Sequence, residues 1–383
     1  MQHNSIKTPS NLEGRGKTPL VFVFLGTEFP PYAIASIKIA KQTTPNPIVV
    51  LAEATKPAAV PADVDWVTIN SFYSGQQFSS FDLAPPYSED FRGGFWLKTA
   101  ERFFVLHAFM TISGLSTIFH GELDCLFFNL PSLEREVLET ELVGVFLPRE
   151  TNSRCVASIV YINDPSVLDS LCKFILENSH LGNEMDILGA LNHNPRSRFY
   201  ALPTAEFLFR AKPALVSSQQ WSVVPKKPTF IADGAVIGRW IFGVDPRNTG
   251  GRGTKNRLQN HKYGVPFIQP LASLIITQNP SGGWQIQITG PSGIPYNLAV
   301  IHVHSKIHDQ ITLKYINRLL KRLKQGKSTV IVPIEPAFPF QVARRITRQI
   351  FITFGSVTKI RALFSDAISP SWWQGLASRV TKL

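Results

Sequence analysis

The chain has 383 residues, of which 44% are hydrophobic and 17% charged, and its formal net charge is +12. A chain of this length buries a full core, in one domain or two. Three cysteines, Cys125, Cys155 and Cys172, exclude a disulfide scaffold, and without a CxxC pair a structural zinc site is not expected. The thiols therefore read as reduced and the protein as cytoplasmic.

Residues 1–17 are polar, contain Gly14 and Gly16 and lack an apolar h-region, so they read as a flexible leader and not a secretory signal. No apolar run approaches the roughly 20 residues of a membrane span. Pro19 to Leu25 is a short Val- and Phe-rich run, broken by Gly26 and Pro30–Pro31. Tyr32 to Lys41 is amphipathic and Pro47 to Ala52 is again apolar, which predicts strand, helix, strand: the start of a parallel βαβ unit. Asp65 to Asn70 reads as a third strand and Ser71 to Gly94 as loop.

Trp96 to Ser113 has helical spacing, with Trp96, Phe103, Leu106 and Met110 on one face and Gly114 as its stop. Strands are expected at Ser116 to His120, Cys125 to Phe128 and Ser158 to Ile162, and helices at Pro165 to Glu177 and Met185 to Asn192. Leu271 to Thr277 and Trp284 to Thr289 read as a strand pair across a turn, and Asn297 to His304 as a further strand. The fold class is α/β: a mixed, mostly parallel sheet flanked by helices, with an added hairpin.

The positive charge is uneven. From Gln310 to Leu383 there are 13 Lys or Arg residues against two acids, Glu335 and Asp366, so the preceding residues are nearly neutral. That distribution disfavours a nucleic-acid binder with a basic body. It divides the chain into a leader (1–17), a body (18–309) and a basic extension of α/β or helical character (310–383). Within the extension, Ile311 to Leu323 and Gln341 to Ile350 read as basic helices around a strand at Ser328 to Ile334, with Trp372–Trp373 near the end. Basic helices with aromatics suit peripheral contact with an anionic membrane surface.

Five constellations carry chemistry. His120–Gly121–Glu122–Leu123–Asp124 follows a strand, and two acids at i, i+2 in extended chain share a side, which suits Mg²⁺ or Mn²⁺. His302–Val303–His304–Ser305–Lys306 offers imidazoles at i, i+2 and a lysine able to neutralise a diphosphate. Asp233–Gly234–Ala235 and Gly243 to Asn248 combine small residues with groups for sugar hydroxyls. Lys98 and Arg102 lie four apart on a helix, where phosphates can meet them. Asn183–Glu184–Met185–Asp186 holds two carboxylates that suit a general base. No G-x-G-x-x-G or G-x-x-x-x-G-K-[ST] loop is present.

The order F-W-x-x-T-x-E-R-F (Phe95 to Phe103), H-x-E-x-D, N-E-M-D, D-G-A, G-V-D-P-R-N and H-x-H-S-K resembles a group of GT-A-fold glycosyltransferases, over roughly residues 18–310. The resemblance implies a GT-A-like fold and transfer from a nucleotide-sugar donor, UDP-linked, to a hydroxyl of a glycan or other acceptor. It implies Asp124 as metal ligand, completed by His304 or by His302, with Glu122 on the nucleotide and Lys306 on the diphosphate. It sets Asp233 toward sugar or acceptor, Lys98 and Arg102 near the donor phosphates, and leaves Glu184 or Asp186 as catalytic carboxylate. The chain departs from the pattern at Leu123, at Glu184 and at Asn256–Arg257. A basic, glycine-rich segment, Asn248 to Asn260, reads equally as a lid over a diphosphate or as a loop with solvated charges. The rival expectation is a non-catalytic GT-A-like protein that binds glycans or an anionic surface.

Overall fold

The computed structural model describes residues 17–76, 78, 93–151, 153–191, 193, 195–205, 228–234, 237–238, 274–278, 284–289, 293–303 and 329–332. Of the chain's two units, Met1–Ile334 and Glu335–Leu383, all of these fall in the first. The leader up to residue 16, the segment Gly243 to Asn260, His304, Lys306, both helices expected in the extension and the Trp pair lie outside them. Among the described residues no helix is long and apolar enough to cross a membrane.

The chain runs β1 (Leu20–Phe24), α1 (Pro31–Thr43), β2 (Ile48–Ala52), β3 (Asp65–Thr68), α2 (Phe95–Ser113), β4 (Ile118–Gly121) and β5 (Cys125–Phe127). There follow α3 (Leu130–Leu138), β6 (Val145–Thr151), β7 (Arg154–Cys155), β8 (Ile159–Ile162), α4 (Pro165–Glu177) and α5 (Glu184–Gly189). The rest is strand: β9 (Phe199–Leu202), β10 (Phe230–Ala232), β11 (Leu274–Gln278), β12 (Trp284–Thr289), β13 (Pro295–His302) and β14 (Thr329–Val332).

The fold is mixed α/β. Its main sheet has the order β3-β2-β1-β4-β8-β6-β7, with β9 beside β6. The pairs β2/β3, β1/β2, β1/β4 and β6/β9 are parallel, and β8 is antiparallel to both neighbours. A second sheet runs β10-β13-β12-β11-β14, with β5 on β13. Strand β14 falls in the basic segment and pairs with β11. The β11–β12 ladder is the antiparallel pair that the two apolar runs predict.

The period of two along the strands sorts their side chains onto two faces. Val21, Val49 and Leu51 pack with α2 and α4, while Leu20, Phe22, Ile48 and Val50 pack with α1 and α3. Helix α2 buries Phe103, Leu106 and Met110 against the first face, each such side chain contributing roughly 1.5–3 kcal/mol. It stops at Gly114, whose φ of 71° is left-handed, a conformation glycine adopts without a Cβ clash.

One strand is shorter than expected, and two elements lie where the sequence raised no expectation. The third strand ends at Thr68 and turns into a short 3-10 segment, Ile69–Ser71. Strand β6 contains Pro148, which argues against a strand from sequence; the Pro148 carbonyl nonetheless accepts from Val156 N–H at 3.1 Å, so only a donor is lost. Helix α3 is short, starts beside Pro131 and buries Leu133 and Val137.

Candidate functional site

Strand β4 belongs to the main sheet and β5 to the second, so Glu122–Leu123–Asp124 is the crossing between sheets. The segment is a turn, not the extended stretch expected. Cys125 N–H closes it onto Glu122 O at 3.1 Å, and Glu122 N–H reaches Ser158 O at 3.4 Å. Leu123, between the two acids, is buried in the core at 8% exposure.

His302 faces them. It ends β13, directly opposite Cys125 in the antiparallel ladder, and Val303 N–H donates to Asp124 O at 2.7 Å. Its Nε2 lies 3.4 Å from Glu122 Oε2 and 3.5 Å from Asp124 Oδ1. The other ring nitrogen, Nδ1, is 3.2 Å from Gly234 O. A carbonyl can only accept, so Nδ1 carries a proton, and Nε2 presents either a second proton or a lone pair to the carboxylates. Burial opposes a charged ring, but Asp124, then Glu122 and Asp233, outweigh it and raise the His302 pKa to about 9.

Donor atoms of Glu122, Asp124, Cys125 and His302 all lie within 4.8 Å of one another. Two carboxylates and an imidazole fit a divalent cation of the Mg²⁺ or Mn²⁺ kind, and the Gly234 carbonyl supplies the second bond by which ligating histidines are oriented. Cys125 fits less well, since burial and the charge of Asp124 push its thiol far above the usual range and keep it protonated.

Asp233 is fully buried and serves the same histidine from behind. Its Oδ1 accepts from Ile237 N–H at 2.9 Å, and its Oδ2 from Gly238 N–H at 2.7 Å and His302 N–H at 3.1 Å. The resemblance sets it toward sugar or acceptor; here both oxygens hold backbone. Gly238 lies so close to β13 that a Cβ there would meet His302 O at 1.7 Å.

Arg102, four residues from exposed Lys98, is buried. Its Nη1 donates to Glu122 Oε1 at 2.7 Å and its Nη2 to Glu184 Oε1 at 2.6 Å. Burial works against its charge, and Glu184 and Glu122 more than restore it. Glu184, at the start of α5, is 2% exposed, and burial raises its pKa to about 7 against the pull of Arg102. Asp186 is half-buried, accepts from Asn183 Nδ2 at 2.6 Å and lies 3.8 Å from Arg154 Nε.

Of the residues singled out from sequence, Glu122, Asp124, His302, Arg102, Glu184 and Asp233 form one connected cluster, while Asp186 and Lys98 lie outside those contacts. Two contributors carried no sequence signal: Cys125, which reads as a buried strand residue, and Ser158, whose Oγ donates to Asp233 O at 2.9 Å.

No protein-family model matches the chain, and no curated protein matches it. Among solved structures, it is similar to mouse xyloside xylosyltransferase 1 in its apo form, at 12% identity and a TM-score of 0.33, over 49% of this chain and 86% of that one. It is also similar to the PaToxG glycosyltransferase, at 10% identity and a TM-score of 0.24, over 48% of this chain and 67% of that one. Both of those proteins are glycosyltransferases by name.

Proposed function

We propose that this chain is a GT-A-type glycosyltransferase that moves a sugar from a nucleotide-sugar donor, UDP-linked, to a hydroxyl of a glycan or other acceptor, with Mn²⁺ or Mg²⁺ on the donor diphosphate. The observation that carries the reading is the convergence of Glu122 Oε2 and Asp124 Oδ1 on His302 Nε2, within 3.5 Å, at the crossing between the sheets.

Glu122, Asp124 and His302 would hold the ion, with His304 as the alternative imidazole. When bound, it supplies positive charge against the charge that develops on a departing nucleoside diphosphate. The chain's own groups do the rest. Lys306 and Lys98 offer cations for phosphate oxygens. Asp233 fixes the backbone of His302 through hydrogen bonds already formed, so the imidazole needs no reordering when donor arrives. Of the two acids at α5, Glu184 is buried and bonded to Arg102 whereas Asp186 is half-buried, and either carboxylate remains the candidate for the acceptor proton. The basic residues of 310–383 suit contact with an anionic surface carrying the acceptor.

The test is release of UDP from a panel of UDP-sugars by the full chain, with Mn²⁺ and with EDTA. Turnover that needs the metal and disappears in Asp124→Ala is expected. Absence of turnover with every donor, alongside glycan or anionic-lipid binding by the same preparation, would overturn the enzymatic reading.

A further inference from the structure

We propose that Arg102 is a positioning residue that sets the affinity of the acidic turn for its cation, with Glu184 as its anchor. The inference rests on the metal-dependent reading above and goes beyond it by giving these two residues a shared task. A guanidinium is planar, and its donors sit in a fixed fork. Here the fork is divided between carboxylates on two separate elements, the β4–β5 turn and the start of α5.

The consequence for Glu122 is geometric. Arg102 takes its Oε1, so Oε2 is the oxygen left facing His302. Turning Glu122 away would break a short, charge-assisted bond in a buried setting, which leaves a buried arginine partly unpaired. The anchor is itself held. Glu184 is fully enclosed, Asn183 caps α5 by accepting from Met185 N–H at 3.1 Å, and Gly189 at the far end lies flush against the backbone of Ser153. Below the fork, the Arg102 guanidinium lies 5.3 Å from the Phe103 ring centroid. The Glu122 carboxylate is therefore tied to α5 through the planar guanidinium of one buried side chain.

A charge-only role makes a different prediction. If Arg102 were merely a nearby positive charge, Arg102→Met would tighten binding of a cation and Arg102→Lys would leave it unchanged. A positioning role weakens binding in both. Mn²⁺ dissociation constants, read by electron paramagnetic resonance on the full chain without nucleotide, decide the sign. The expected result is a loss of about tenfold to a hundredfold in Arg102→Lys, as for residues that orient metal ligands. Glu184→Ala should lose about tenfold, and Glu184→Gln less, because an amide oxygen still accepts from Nη2. Melting curves and circular dichroism accompany each variant; if an Arg102 variant does not fold, the Glu184 pair carries the decision. Wild-type Mn²⁺ affinity in both Arg102→Lys and Glu184→Ala, or tighter binding in Arg102→Met, overturns the inference while metal-dependent turnover by wild type still stands. If wild type itself binds no Mn²⁺, the metal-dependent reading falls and this inference falls with it.

Discussion

His302 and His120 are both enclosed imidazoles near the acidic turn, one after it in space and one before it in sequence. His302 meets Glu122 and Asp124, and its pKa rises to about 9. His120 sits within β4, donates from Nδ1 to Val21 O at 3.1 Å, and burial with the nearby charge of Arg102 lowers its pKa to about 3. His193, beside Cys155 at 3.5 Å, is likewise driven down to about 3 by burial. Enclosure without a facing carboxylate, and beside an arginine, therefore silences an imidazole. What makes His302 a site residue is the pair of carboxylates that burial left pointing at it.

The sharpest way to break this contrast is Asp124→Ala. Turnover should fall by about a thousandfold, the loss of several kcal/mol of charge stabilisation, measured as UDP release. In the same variant the His302 pKa, followed by NMR, should drop from about 9 toward its ordinary value near 6.5. A smaller blow comes from behind the histidine. Gly238→Ala puts a Cβ against His302 O, where the spacing leaves 1.7 Å, and should destabilise the fold by about 1–3 kcal/mol in urea titrations. Mn²⁺ binding should weaken in that variant along with it.

The pH dependence follows from the direction of the shift. His302 has its folded pKa raised, so in metal-free protein its charged form adds stability that is complete below about pH 6.5 and is lost as pH climbs through about 9. Mn²⁺ must displace that proton, so affinity should rise roughly tenfold per pH unit up to about pH 9, by titration calorimetry. A flat profile would mean that His302 is not a ligand. The smallest effect is a null one: the His120 ring resonances should not move between pH 5 and pH 9, because its pKa lies near 3. A titration there would erase the contrast with His302.

Much of the main sheet was legible, because Leu20–Phe24, Ile48–Ala52 and Ile159–Ile162 are apolar runs bounded by breakers and α2 ends at a glycine. Strand β6 raised no expectation from its sequence, and Pro148 within it accepts from Val156 N–H through its carbonyl. At the site, the E-x-D and H-x-H patterns drew notice from spacing. The link that joins them to α5 did not, because Arg102 and Glu184 are 82 positions apart and nothing local in either segment names the other. Leu123 was equally opaque: an apolar residue between two acids reads as a departure, and only the structure shows it packed in the core.

The pairing of β5 with β13 also has a meaning in time. Residues Cys125–Phe127 lie on one side of the ladder and Val300–His302 on the other, so most of the chain must be synthesised before the two can meet. Contacts of such long range cost loop entropy before they return any energy, and they close late. During that interval Glu122 and Asp124 exist without their imidazole, while β1, β2, β3 and β4 have everything they need to pair. The nascent protein thus acquires its scaffold first and its chemistry last.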